Sequence, residues 1–186
     1  MNNLEKLKQL LLKYSFRKGE FTLASGKKSN FYFDGKQTSL HPEGAFLIGA
    51  LIFEIIQKKF PEVQAVGGPT LGADPILTSV SLASYHKHTP LFSFIVRKET
   101  KGHGTGAWIE GHTHLKPGMK VILVEDVITT GGSLLKAAEK VREFGLTPVG
   151  VIVLVDRQEG GQEAVQQAGM QFVSLFTKDE LLNTKD

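Results

Sequence analysis

Two adjacent carboxylates, Glu125 and Asp126, close the apolar run Val121–Val124 and are followed by Val127, Ile128, Thr129, Thr130, Gly131, Gly132 and Ser133. The run reads as a strand that delivers both acids to its carboxyl end, where open α/β sheets bind ligands. The Thr-Thr-Gly-Gly-Ser turn then opens a helix. Small hydroxyl and glycine residues there leave backbone N–H groups free to cradle a phosphate, aided by the helix dipole. The acids would repel that phosphate. They suit sugar hydroxyls, whose hydrogen bonds a carboxylate accepts, or the water shell of a metal ion.

Three other segments carry usable chemistry. Arg97, Lys98, Lys101 and His103 put cations on a segment whose Gly102, Gly104 and Gly106 supply freedom of movement. Such a loop can close over a site, exclude water and stabilise negative charge on a departing group, although a solvated basic loop has the same composition. Arg157 follows the apolar run Val149–Val155. Its guanidinium matches a carboxylate as a planar fork, and a salt bridge to Asp156 or Glu159 is the competing reading. Thr70, Leu71 and Gly72, within Gly67–Asp74, lie between a strand and a helix and offer backbone N–H groups to an anion.

The elements that must position these residues alternate. Met1–Phe16 has Leu4, Leu7, Leu10 and Leu11 at helical spacing. Phe21–Asp34 reads as an antiparallel hairpin, and Glu43–Phe60 as a helix stopped by Pro61. Strands are expected at Val63–Val66 (broken by Gly67-Gly68-Pro69), Leu91–Val96, Lys120–Val124, Val149–Val155 and Gln171–Phe176. Helices are expected at Ala73–Tyr85, Ser133–Phe144 and Gly161–Ala168. Continuous apolar strands alternating with helices predict an α/β fold with a parallel sheet covered on both faces. Glu99–Leu115 has little periodicity and reads as a long functional loop.

Composition narrows the classes. The chain has 186 residues, 41% of them hydrophobic and 22% charged, enough for one domain with a full core. It has no cysteine, which excludes thiol nucleophiles, Cys-zinc sites, iron–sulfur clusters and disulfides, and fits a reducing compartment. The net charge of +3 is compatible with a polyanionic small substrate as well as with nucleic acid. No run reaches the roughly 20 apolar residues a membrane helix needs, so a soluble, cytoplasmic protein is expected. The pairs His86/His88 and His112/His114 lack a third ligand and read as surface residues, and Trp108 reads as loop packing.

Two acids followed by V-I-T-T-G-G-S resemble the phosphoribosyl diphosphate (PRPP) signature of the type I phosphoribosyltransferases. Three further segments, in family order, resemble the orotate branch: the hood Glu20–Asp34, the catalytic loop Arg97–Gly106 and the segment Asp156–Glu159. The resemblance spans Leu4–Thr177. It implies one domain over residues 1–186, with a hood mainly in residues 1–40, a mobile catalytic loop over about residues 98–115 and a central, mostly parallel sheet flanked by helices. It implies transfer of the phosphoribosyl group of PRPP to orotate in pyrimidine biosynthesis, with Mg²⁺ bound mainly through PRPP and no dedicated metal ligands. Glu125 and Asp126 then hold the ribose hydroxyls, and Val127–Ser133 the 5′-phosphate. Thr70, Leu71 and Gly72 face the diphosphate. Thr129, Arg157, Phe31 and Tyr32 face orotate. Lys98, Lys101 and His103 are catalytic and, with Arg97, bind PRPP, reaching across a homodimer interface. No nucleic acid or membrane partner is implied. Some family members carry lysines where this chain has Gly72 and Ala24, so diphosphate charge falls more on Mg²⁺, Lys98 and Lys101 here. A phosphoribosyltransferase for another base and a PRPP-sensing regulator on the same fold stay open as alternatives.

Overall fold

In the computed structural model, which describes residues 1–22, 28–99 and 108–183, the chain opens with helix α1 (Asn3–Leu10), continued by a π-helical turn over Leu11–Ser15. The Asn2 side chain starts the helix by accepting from the Glu5 amide at 2.8 Å. Leu7 and Leu11 are buried. The chain becomes extended at Phe16, earlier than the sequence suggested, and forms a hairpin of β1 (Phe16–Thr22) and β2 (Lys28–Phe33). Phe16 stacks on Phe31 at 5.7 Å, a diagonal cross-strand pair that favours strand over helix here.

A short helix not foreseen from the sequence, α2 (Lys36–Ser39), joins the hairpin to α3 (Pro42–Lys59). Proline in the first turn of α3 loses no helical hydrogen bond, and Pro61 lies just past its end. The remaining elements are β3 (Ala65–Pro69), α4 (Asp74–His86), β4 (Phe92–Val96), β5 (Ile109–Glu110), a 3-10 turn (His112–His114), β6 (Lys120–Ile128), α5 (Gly132–Glu143), β7 (Thr147–Asp156), α6 (Gly161–Gln167), β8 (Gln171–Thr177) and α7 (Lys178–Leu182).

The main sheet has the order β5-β4-β3-β6-β7-β8. All pairings are parallel except β4 with β5. From β3 the chain first builds outward through β4, then returns to lay β6 on the other side of β3. The order therefore reverses between β3 and β6, the place where such sheets bind ligands. Strand alternation splits the core in two. Ile122, Val124, Ile152 and Leu154 pack with α1, α3 and α4. Val121, Leu123, Val151 and Val153 pack with α5 and α6 on the opposite face.

Three expectations change. The sheet is mostly parallel, as the resemblance implied, but the segment read as a loop contributes an antiparallel edge strand, Ile109–Glu110. Two residues are too short for a period to show, but Ile109 is buried beside Val96. Strand β3 runs through Gly67, Gly68 and Pro69 instead of breaking there. A Cβ on Gly67 would lie 2.1 Å from the Phe94 ring, so bare backbone is what lets that ring pack onto the strand. Finally, β6 continues through Glu125 and Asp126 to Ile128.

Candidate active site

Alternation along β6 parts the two acids. Glu125 continues the face of Val121 and Leu123 and accepts a hydrogen bond from the Ser133 hydroxyl of α5 at 3.3 Å. Asp126 continues the other face and meets the base of the hairpin, where Lys36 Nζ stands 3.9 Å from Oδ2. Both are nearly enclosed, with 8% and 9% of their surface exposed. Burial pushes the Glu125 carboxyl up to about 8, and neighbouring Asp126 adds to the rise against the pull of Ser133 and Lys98. Burial also raises Asp126, opposed first by Lys36 and then by the Val127 amide, which donates to Oδ1 at 2.9 Å.

Beyond the acids, Val127 and Ile128 finish the ladder with Val155 and Asp156, and the Ile128 side chain is buried in the core. Thr129 and Thr130 turn the chain. Gly131 takes φ +83°, a left-handed conformation that glycine adopts without a Cβ clash. Gly132 and Ser133 start α5, whose first turn holds no acidic residue. Thr130, Gly132 and Ser133 are exposed, so the turn can present backbone donors to an anion.

The Thr70, Leu71 and Gly72 turn lies across the switch point, between β3 and α4. The Thr70–Leu71 peptide is cis. The Thr70 hydroxyl donates to Asp74 at 2.9 Å, and Leu71 is exposed. Gly72 sits directly on the acid pair: a Cβ there would lie 2.3 Å from Asp126 Oδ1 and 2.7 Å from Glu125 Oε1. Thr70 and Asp74 also line a cleft of about 420 Å³ with Arg97, Lys98 and Glu110. Arg97 is engaged at its rim, its Nη1 3.1 Å from Glu110 and its Nε donating to the Glu99 carbonyl at 3.2 Å. Lys98 is exposed and near enough to Glu125 to lower that carboxyl's pKa. Lys101 and His103 lie outside the described residues.

At the end of β7, Arg157 is 8% exposed and its amide donates to the Ile128 carbonyl at 3.0 Å, placing it beside the turn that begins at Thr129. Its guanidinium carbon stands 4.7 Å from the centre of the Phe31 ring, within cation–π range. Its Nε donates to Glu159 at 2.9 Å. The salt bridge weighed against a ligand role is thus present, while Nη1 and Nη2 make no hydrogen bond among the described residues. Phe31 and Arg157 are brought together; Tyr32, the next residue of the strand, lies against Phe21 at 5.6 Å and is 43% exposed.

Sequence reasoning missed Lys36 and Gly35, and included Asp74 only as the end of the Gly67–Asp74 loop. An acid–glycine–base triplet directly after an aromatic strand (Asp34-Gly35-Lys36) was the available signal for the first two. Among the described residues no group of three or more His, Cys, Asp or Glu is arranged to hold a metal ion. His112 Nδ1 lies 3.1 Å from the Ile109 carbonyl and His114 stacks on Phe92 at 5.4 Å. Lys140 Nζ sits 4.8 Å over the Trp108 ring.

The family model for the phosphoribosyl transferase domain matches residues 36–172. An orotate phosphoribosyltransferase of Nostoc sp. is 46% identical over 172 residues, covering 92% of this chain and 82% of the relative. That of Aquifex aeolicus is 45% identical over 181 residues, covering 96% and 97%. Among solved structures, the orotate phosphoribosyltransferase of Mycobacterium tuberculosis in complex with PRPP superposes with a TM-score of 0.81 at 33% identity, covering 97% of this chain and 99% of that one. With a family model laid over the main sheet and its ligand turns, and relatives of this identity along nearly the whole length, the chain belongs to the orotate phosphoribosyltransferase family and has the type I phosphoribosyltransferase fold.

Proposed function

We propose that this chain transfers the phosphoribosyl group of PRPP to orotate, giving orotidine 5′-monophosphate and diphosphate in pyrimidine biosynthesis. The observation that carries the reading is the gathering of three features at one sheet end: the buried acid pair, the open turn after it, and Arg157 just past the neighbouring strand. Glu125 and Asp126 receive the ribose hydroxyls. The Thr129–Ser133 turn receives the 5′-phosphate through backbone donors, and Thr70–Gly72 faces the diphosphate. Arg157, braced on Phe31 and Glu159, offers its remaining donors to the orotate carboxylate, with Thr129 beside it.

Displacement at the anomeric carbon passes through an oxocarbenium-like state while negative charge builds on the departing oxygen. Lys98, with Lys101 and His103 by family resemblance, supplies cations to that oxygen, and no covalent intermediate with the protein is required. The site also fits Mg²⁺. Its floor is two enclosed carboxylates, oxygen groups that suit the water shell of an ion held mainly by substrate oxygens. When bound, the ion neutralises diphosphate charge.

The proposal extends to a cytoplasmic homodimer whose catalytic loops are shared between subunits. Phe46 on α3 and Leu82 and Tyr85 on α4 are exposed apolar side chains on two helices that pack together, the kind of surface a partner covers. Among the described residues no helix is long and apolar enough to cross a membrane.

The test is loss of orotate absorbance with PRPP and Mg²⁺, with adenine, hypoxanthine and uracil run in parallel by product chromatography. Orotate loss that requires both PRPP and Mg²⁺ supports the proposal. Turnover of another base instead would overturn the reading of Arg157, and PRPP binding without turnover of any base would favour a regulator.

A further inference from the structure

The base of the hairpin is built into the acid pair. Asp34 is tied to the end of the first helical segment, its amide donating to the Ser15 carbonyl at 2.9 Å. Its carboxylate receives the Lys36 ammonium at 2.7 Å, the Lys36 amide at 3.2 Å and the Gln37 side chain at 3.2 Å. Burial works to raise the Asp34 carboxyl, but the bonds from Lys36 and Gln37 outweigh it and hold it below its ordinary value. The bond to Asp34 raises the Lys36 ammonium in turn. Lys36 is therefore a tethered cation rather than a free surface chain. Between these residues lies Gly35, where a Cβ would come 2.7 Å from the Asp126 Cβ and 2.9 Å from its Oδ2. The bare backbone lets the hairpin base touch Asp126 and carry the Lys36 charge to within 3.9 Å of it.

We propose that Lys36 is a positioning residue for PRPP: held by Asp34, it keeps the Asp126 carboxylate charged and aimed at the ribose. Among the described residues no other Lys or Arg lies within 4 Å of an Asp126 oxygen. Among the described residues the charged groups around Asp126 are Lys36 and Asp34 at the hairpin base and Glu125 on its own strand, with Asp74 and Lys98 beyond Glu125. Two of the three nearest are acids, so without Lys36 an enclosed carboxylate faces mainly like charge and takes up a proton more readily. A protonated or turned Asp126 accepts the ribose hydroxyls less well. This inference rests on the assignment of Asp126 to the ribose.

The experiment is calorimetric binding of PRPP with Mg²⁺ to wild type, Lys36→Met, Lys36→Arg, Asp126→Asn and the Lys36→Met/Asp126→Asn double variant, without orotate. Lys36→Met is expected to weaken binding about tenfold, the effect of about 1.4 kcal/mol, and Lys36→Arg to restore most of it. In the Asp126→Asn background Lys36→Met should change little, because coupled residues do not add. Wild-type affinity in Lys36→Met, or losses that simply add in the double variant, would overturn the proposal. Thermal melts establish folding first. If Lys36→Met does not fold, Asp34→Asn loosens the tether and keeps the cation, and unchanged PRPP affinity there would also overturn it. A wild type that binds PRPP but leaves orotate untouched would sink the choice of base and not the role of Lys36. A wild type that does not bind PRPP would sink both.

Discussion

Glu125 and Asp126 are chemically alike and adjacent, yet the strand hands them different neighbours. Glu125 meets a hydroxyl and a buried wall, whereas Asp126 meets a tethered ammonium. The first is pushed up to about 8 by burial. A carboxyl whose folded pKa lies above its unfolded value stays protonated in the fold while the unfolded chain ionises. Stability is then lost as pH rises from about 4.5 toward 8. Glu125→Gln mimics the protonated form, so it is expected to raise the melting temperature of the ligand-free protein more at pH 8 than at pH 5. Equal shifts at both pH values would contradict the assignment. Arg157→Ala is expected to lower kcat/KM for orotate about 10- to 100-fold while PRPP affinity holds, charged hydrogen bonds being worth about 1.5–3 kcal/mol. Arg157→Lys should recover only part of this, since an ammonium keeps the charge and loses the fork. The acids were legible in the sequence because carboxylates ending an apolar strand are costly unless used, and Arg157 because its planar fork matches a carboxylate. Lys36 was not legible: its partner Asp126 is remote in sequence, and only the packed hairpin brings them together.

Among the elements, the turn between β3 and α4 is pressed closely onto the acid pair. Gly72 rests on both carboxylates, so Gly72→Ala must either lift the turn or rotate an acid away. Overpacking of this kind costs about 1–3 kcal/mol, and either adjustment disturbs the site. Gly72→Ala is therefore expected to lower the melting temperature and also to weaken PRPP binding, measured by thermal melts and calorimetry on the same sample. The sequence marked this turn as a ligand loop but misjudged the strand before it, because glycines that break a strand and glycines that admit a ring look the same without the ring. Phe94 distinguishes them. Strand β5 escaped for the opposite reason: Ile109 is the only strongly apolar residue between Trp108 and Leu115, and its partner Val96 lies across a segment with no local period. Long apolar runs such as Val121–Val124 and Val149–Val155 carried their own signal and read correctly.

At the scale of the whole molecule, the reversal of strand order between β3 and β6 gathers the acids and both turns proposed to hold anions at one sheet end, with Arg157 just past the end of β7. Periodicity implied the α/β class; strand order came only with the structure. The exposed face of α3 and α4 belongs to this scale too. Phe46→Glu would place a charge in the proposed dimer interface, and light scattering is expected to show a monomer with sharply reduced orotate turnover. A monomer at full activity would confine every catalytic group to one chain.

The seam between hairpin and sheet also bears on how such a molecule can be altered. On the proposed assignment a change of base would act on the hairpin and on Arg157 and leave the proposed sugar end untouched, and that invites the exchange of whole hairpins between relatives as modules. Asp34, Gly35 and Lys36 set the condition for such a graft. They follow directly on the hairpin in sequence but meet Asp126 in space. A chimera joined before residue 34 keeps its native hinge, whereas one joined after residue 36 imports a foreign residue onto Asp126. The productive joint therefore lies on the hairpin side of that triplet.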